Sequence, residues 1–217
     1  MNETVCIIVP HGDDETLGFS AAIQKHVNEN DDVYVLFCRK PHNERTQFQF
    51  DSIKEAQKIL GYKNFFSLDI SLTDISNDIF VVYKKIENVL LDISPTIVYT
   101  TFWGDIHQDH KAVFESVTRI IRTWGRFKIK KFIVGEIPSS TEQRPYLDSN
   151  IFHPNYYIKM SQKMLDNKIK ALECYGGEMR EYPHPRSNRG ITSKAECRGQ
   201  ECGSEYAEAY MILKYIE

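Results

Sequence analysis

The chain has no C-x-x-C pair, no excess of basic charge and no glycine-rich phosphate loop, and it has no apolar run of about 18 residues. Each absence removes a class of protein. Its five cysteines, Cys6, Cys38, Cys174, Cys197 and Cys202, are odd in number and scattered, so a disulfide framework is not expected and the thiols read as reduced. Cys197 and Cys202 are close enough to suggest a zinc clip, but with no second pair they read as incidental thiols. Without a long apolar run there is no candidate membrane helix. Met1-Asn2-Glu3-Thr4 also lacks the basic and apolar parts of a secretory leader, so a cytoplasmic protein is expected. A net charge of -3 argues against nucleic acid or an anionic membrane as the main partner. The basic run Arg126 to Lys131 alternates with apolar residues and reads as a solvated face. A small neutral or zwitterionic ligand fits this charge better.

What the chain does have is enough apolar residue for a substantial core, 41% of 217 residues, and one domain spanning 1–217 is expected. Apolar runs alternate with segments of helical period. Val5 to Val9 precedes Leu17 to Val27, and Val33 to Cys38 precedes Ile53, Ala56 and Leu60. Phe65 to Ile70 precedes Ile79, Val82, Ile86 and Leu90, and Ile97 to Phe102 precedes Val113, Val117, Ile120 and Trp124. A strand around Phe132 to Ile137, a helix with Leu165, Ile169 and Leu172, and a last strand around Tyr206 to Leu213 follow. This is the pattern of a Rossmann-like, three-layer α/β/α fold with a mostly parallel sheet.

Two short polar runs carry the chemistry. Pro10-His11-Gly12-Asp13-Asp14-Glu15 follows the first strand, and Gly104-Asp105-Ile106-His107-Gln108-Asp109-His110 follows the fourth. In open α/β sheets, ligands sit beyond the carboxyl ends of the strands, so the two runs are expected to be neighbours. A nucleotide site is the nearest rival, but neither G-x-G-x-x-G nor a Walker lysine is present. Three carboxylates would also repel a pyrophosphate.

The same carboxylates suit a divalent cation. Two histidines and one carboxylate are a common set for catalytic zinc, with a position left open, and His11, Asp14 and His110 are the expected ligands of one Zn2+ per chain. Fe2+ fits the same donors. Asp13, adjacent and unassigned, is the expected general base. His107 is placed to hold an oxyanion, and Asp109 to orient that ring. Glu15 reads as a first-turn cap or a brace for a ligand. Either run alone is equally well explained by ordinary helix-dipole carboxylates and satisfied histidines. The two together favour a metal site.

These residues resemble those of the LmbE-like or PIG-L-like zinc de-N-acetylases. That family's P-H-P-D-D-E stands here as Pro10-His11-Gly12-Asp13-Asp14-Glu15, with Gly12 in place of the second proline. Its H-x-D-H stands as His107-Gln108-Asp109-His110. Lys170-Ala171-Leu172 and Arg198-Gly199, Gly203 and Tyr206-Ala207-Glu208-Ala209-Tyr210 are similar to the family's later segments. The resemblance implies a Rossmann-like fold, zinc at the positions of His11, Asp14 and His110, a base at Asp13 and an oxyanion donor at His107. It also implies an N-acetylated amino sugar or sugar conjugate as substrate, hydrolysed to acetate and free amine, and a homo-oligomer.

Further substrate contacts are expected from Arg45, which matches a family position that grips substrate, and from Trp103, Arg186 and Arg198. Gly176-Gly177, Pro183, Pro185 and Gly190 suggest that 176–203 is an irregular lid over the metal. The rival functions are a metallohydrolase of non-sugar amides or phosphoesters, and a non-catalytic sugar- or nucleotide-binding module.

Overall fold

A computed structural model describes residues 2–39, 46–68, 70, 74–122, 124–145 and 151–217. The expected three-layer α/β/α architecture is present. Strands β1 (Thr4–Val9), β2 (Asp32–Phe37), β3 (Asn64–Ser67), β4 (Ile97–Thr101), β5 (Lys131–Gly135), β6 (Tyr156–Met160) and β7 (Tyr206–Tyr215) form one sheet in the order β3-β2-β1-β4-β5-β7-β6. The first five are parallel, whereas β7 runs antiparallel to both β5 and β6.

The helices are α1 (Asp14–Asn28), α2 (Thr46–Leu60), α3 (Asp74–Asn77), α4 (Ile79–Ile93), α5 (Gln108–Ile120), α6 (Gln162–Glu173) and α7 (Asn188–Cys202). Strand β1 shows why its sequence is apolar throughout. Val5, Ile7 and Val9 enter the core under α1, α2, α6 and α7, while Cys6 and Ile8 enter the core under α4 and α5. A strand covered on both faces has no polar side to alternate with. Helix α4 instead buries a single stripe, Val82, Ile86 and Leu90, each burial favouring the folded chain by about 1.5–3 kcal/mol.

Sheet order reverses at β1. From it the chain moves outward through β2 to β3, and then returns to place β4 on the other flank. The carboxyl ends of β1 and β4 are therefore neighbours, with Ile8 paired to Thr100. Their connections leave toward opposite faces and open a crevice, the usual ligand position in such sheets.

Several boundaries differ from the sequence reading. β3 and β5 are shorter than expected, β6 has no counterpart in the expected pattern, and α5 stops at Ile120, leaving Trp124 outside it and 98% exposed. The expected irregular lid at 176–203 is corrected: only its first part is irregular, because Asn188–Cys202 is a helix capped by Ser187, whose Oγ accepts the Gly190 amide at 2.9 Å. Gly190 does not break this helix. It lets the helix approach the preceding loop, where a Cβ would lie 2.5 Å from the Pro185 carbonyl oxygen.

Gly18 serves α1 in the same way. A Cβ there would come within 2.6 Å of Ile137 Cδ1 and 2.8 Å of the Glu136 carbonyl oxygen. Since α1 begins at the turn carrying the first polar run, Gly18→Ala is expected to destabilise the fold by about 1–3 kcal/mol through overpacking. Urea unfolding measures this, and an unchanged midpoint would refute the contact.

Candidate metal centre

The turn after β1 is tight. The backbone amide of His11 donates to Asp14 Oδ2 at 3.0 Å, and His11 Nδ1 approaches the same oxygen at 3.1 Å. From the other strand, His110 Nε2 stands 3.4 Å from that oxygen. His11, Asp14 and His110, nearly a hundred residues apart at the extremes, thus meet as the sequence reading expected, with ligand atoms within 4.8 Å of one another. Asp14 and His110 are buried, and His11 is slightly open on one side. Thr101, the last residue of β4, ties the start of α5 to the sheet by donating to the His110 carbonyl at 3.0 Å.

A carboxylate stands behind each imidazole. His11 Nε2 is 2.9 Å from Asp109 Oδ2. His110 Nδ1 is 3.1 Å from Asp105 Oδ2, an electrostatic approach without good hydrogen-bond alignment. Asp105 is itself fixed by the His107 amide at 2.7 Å, by Thr141 Oγ1 at 2.7 Å and by Ser140 Oγ. Sequence reasoning missed Asp105, although it lies within the second polar run. Its partners Ser140 and Thr141 come from the loop after β5, which no local spacing connects to it.

Asp109 is a correction. Its carboxylate does not orient His107 but reaches His11. His107 instead caps α5, its Nδ1 accepting the Asp109 amide at 3.2 Å. An accepting Nδ1 assigns the ring proton to Nε2. Burial, then the neighbouring His11 and His110, hold the His107 pKa below its ordinary value, which keeps the ring neutral. The exposed ring therefore presents an N–H beside the two candidate ligands, its centroid 4.8 Å from that of His11 and 4.9 Å from that of His110.

The charges around the triad favour a cation. Burial works against protonating His11 and His110, yet Asp109 and Asp14 raise the first to about 9, and Asp14 and Asp105 raise the second to about 10. Burial also opposes ionising Asp14, but His110 and His11 outweigh it and hold its pKa well below the carboxylate range. Such a field calls for positive charge between the rings. A divalent ion bound through their neutral nitrogens supplies it, with Asp14 as the third ligand and Asp105 and Asp109 as the orienting carboxylates common behind metal-bound imidazoles. The donor set suits Zn2+ or Fe2+.

Asp13 lies beside the triad and outside it. Its φ of 124° is one that L residues rarely adopt, and its amide donates to Glu15 Oε2 at 3.0 Å. Glu15 braces this turn rather than a ligand, its other oxygen accepting from Thr16 Oγ1 at 2.7 Å and Tyr175 OH at 2.6 Å. Burial, and after it the Asp14 charge, push the Asp13 pKa well up, with Arg186 opposing. The Arg186 guanidinium, expected to meet substrate, donates from Nη1 to Asp13 Oδ2 at 2.7 Å.

The remaining expected contacts fall elsewhere. Arg198 forks onto Glu136 at 2.7 and 2.9 Å and also reaches Glu201, so its charge is committed to carboxylates. Trp103 packs on Phe102 and Phe114, centroids 4.3 and 5.4 Å away, and belongs to the core edge rather than to a stacking platform. Arg45 lies outside the described residues. Two other donor groups occur among the described residues: His11, His107 and Asp109, which shares His11 with the triad, and His26, Glu29 and Asp31 at the far end of α1. There His26 is satisfied by Asp31 at 2.7 Å and the Tyr99 hydroxyl at 3.0 Å.

A doubly covered α/β sheet with a two-histidine, one-carboxylate group at its switch point defines the class: an α/β protein with a candidate mononuclear metal site. The sequence profile described as PIG-L, GlcNAc-PI de-N-acetylase, matches residues 6–121, more than half of the chain, and the chain belongs to that family. None of the curated protein sequences compared matches it. Among solved structures, the conserved protein TT1542 from Thermus thermophilus is 18% identical with a TM-score of 0.81, over 99% of this chain and 96% of that one. The N,N'-diacetylchitobiose deacetylase from Pyrococcus horikoshii is also 18% identical, with a TM-score of 0.74 over 96% of this chain and 83% of that one. GalB, the 4-carboxy-2-hydroxymuconate hydratase from Pseudomonas putida, is 16% identical with a TM-score of 0.71, over 100% and 98%. At these identities the likeness is one of fold.

Because both rings are protonated at pH 7 in the metal-free protein, binding of one Zn2+ should release about two protons. Titration calorimetry in buffers of different ionisation enthalpy counts them, and release near zero would refute the ligand set.

Proposed function

We propose that the protein is a metal-dependent de-N-acetylase that hydrolyses the acetamide of an N-acetylated amino sugar or sugar conjugate to acetate and a free amine, with zinc as the resident metal. Family membership supports the reaction, and the diacetylchitobiose deacetylase of the same fold supports the substrate class. The observation that carries the reading is a buried carboxylate, Asp13, next in sequence to Asp14 but outside the group of His11, Asp14 and His110, and near enough for the charges of Asp14 and His11 to act on it.

A divalent cation in this position would polarise an amide carbonyl and make water acidic enough to lose a proton near neutral pH. His11, Asp14 and His110 would hold the cation, with Asp109 and Asp105 fixing the two rings. Asp13 takes the proton from water as the oxygen attacks the amide carbon. His107 Nε2–H donates to the carbonyl oxygen as it becomes negative. When the carbon–nitrogen bond breaks, the proton held by Asp13 passes to the departing amine and the acetic acid formed gives its own proton to solvent, leaving acetate, a free amine and an Asp13 carboxylate ready for another turnover. Burial matters most at Asp13, since a fixed carboxylate acts more strongly where water is excluded.

The GalB likeness sets the sharpest alternative product, water added across a carbon–carbon double bond rather than an amide cleaved. A panel of N-acetylglucosamine conjugates, simple N-acetyl amines, phosphate monoesters and unsaturated dicarboxylates separates these by product. Acetate with equimolar amine from the sugars alone is the expected outcome. Asp13→Asn should keep metal at one ion per chain while losing ~10² to 10⁴-fold in turnover. Turnover at the wild-type level with metal bound would remove Asp13 from the chemistry.

A further inference from the structure

We propose that Arg186 is a positioning residue that fixes the Asp13 carboxylate, acting together with a second clamp on the Asp13 backbone. The inference rests on the base role given to Asp13 and adds what holds that base in place.

Asp13 needs holding. A residue with a side chain at φ 124° and ψ -30° is in a strained conformation that persists only where its surroundings enforce it. The backbone clamp is Glu15, fully buried, which accepts the Asp13 amide and is itself held by Tyr175 OH at 2.6 Å. The side-chain clamp is Arg186. Its Nη1 donates at 2.7 Å both to Asp13 Oδ2 and to Glu178 Oε2, and its Nε donates at 2.7 Å to Ser139 Oγ.

The guanidinium is anchored in turn. The Arg186 amide donates to His184 Nδ1 at 3.1 Å. The next residue, Ser187, caps α7, and Gly190 packs that helix against the 184 and 185 carbonyls. A rigid helix start therefore aims the fork at Asp13. With Oδ2 taken by Arg186, proton transfer falls to Oδ1.

This differs from the substrate-gripping role that the sequence suggests for Arg186. A guanidinium already facing two carboxylates and a hydroxyl has little charge left for a substrate anion, and Glu178 on the same nitrogen offsets the charge brought to Asp13. Arg186, and Tyr175 which holds the Glu15 clamp, come from the part of the chain beyond the matched residues 6–121.

Arg186→Ala should lower kcat by ~10- to 100-fold, the scale of a small misplacement of a reacting group, with KM changed by less than about threefold and metal content intact. Added guanidinium should restore part of the rate. Arg186→Lys, which keeps the charge without the fork, should fold normally and still lose most of the rate, so the inference stays testable even where the alanine variant unfolds. A raised KM with kcat preserved would overturn it in favour of substrate binding. A lost rate that guanidinium leaves unchanged in a folded variant would also overturn it.

A double-mutant cycle tests the pair without any substrate. Arg186→Ala should lower Tm in the native background by at least about twice as much as it does beside Asp13→Ala. Equal shifts in both backgrounds would refute the clamp. Failure of the native protein to release acetate from any N-acetyl compound would instead defeat the functional reading, and the cycle would still decide whether Arg186 holds Asp13.

Discussion

One oxygen organises this molecule's candidate site. Asp14 Oδ2 accepts the His11 amide, approaches the His11 ring and faces the His110 ring, which comes from the other side of the switch point. A buried carboxylate without compensation is among the costliest groups a fold can contain. Here the compensation is two imidazoles, and their burial is made tolerable by Asp109 and Asp105 behind them. Three carboxylates around two imidazoles leave an excess of negative charge that favours a cation between the rings, so the same groups that make the triad acceptable inside the protein make it a candidate cation site.

The sheet is what makes that oxygen reachable from both sides. His11 and Asp14 are three apart on one turn, a spacing that sequence alone can supply. His110 can join them only because β4 returns to pair with β1. The hydroxyl of Thr101 then holds the first turn of α5 down on the strand end. Two general features, an order reversal in a parallel sheet and a helix starting immediately after it, thus bring together groups that are distant along the chain.

How far this is legible in the sequence depends on whether a contact is local. The alternation of apolar runs and helical periods reveals the fold class because both periods are short. The meeting of His11, Asp14 and His110 is readable because each half lies at a strand end, where α/β topology leaves little freedom. Asp109 defeats the same reading because two acceptable partners, His107 and His11, lie within its reach, and only the capping of α5 by His107 decides between them. Arg198 and Glu136 are 62 residues apart, and no pattern along the chain announces their pairing. Helix α7 looks irregular in sequence because glycine ordinarily interrupts a helix, whereas Gly190 is demanded by a close approach that becomes visible only once the loop at 184–185 is in place.

The division of labour between the two halves of the chain follows from these contacts. The candidate metal ligands and the candidate base all lie within residues 11–110, inside the family match. Of the groups that brace them directly, Asp109, Asp105, Thr101 and Glu15 also lie inside it and Arg186 beyond it, while the residues that hold those braces in turn, Ser140 and Thr141 on Asp105 and Tyr175 on Glu15, come from beyond it. Ligands with a shared geometry can bind the same ion in many relatives, because an ion asks only for donors at the right distance. A general base asks for more, since proton transfer falls off with small errors of angle and distance. The later half, with its helix started by Ser187, therefore supplies the side-chain hold on Asp13, while the earlier half carries the candidate ion ligands.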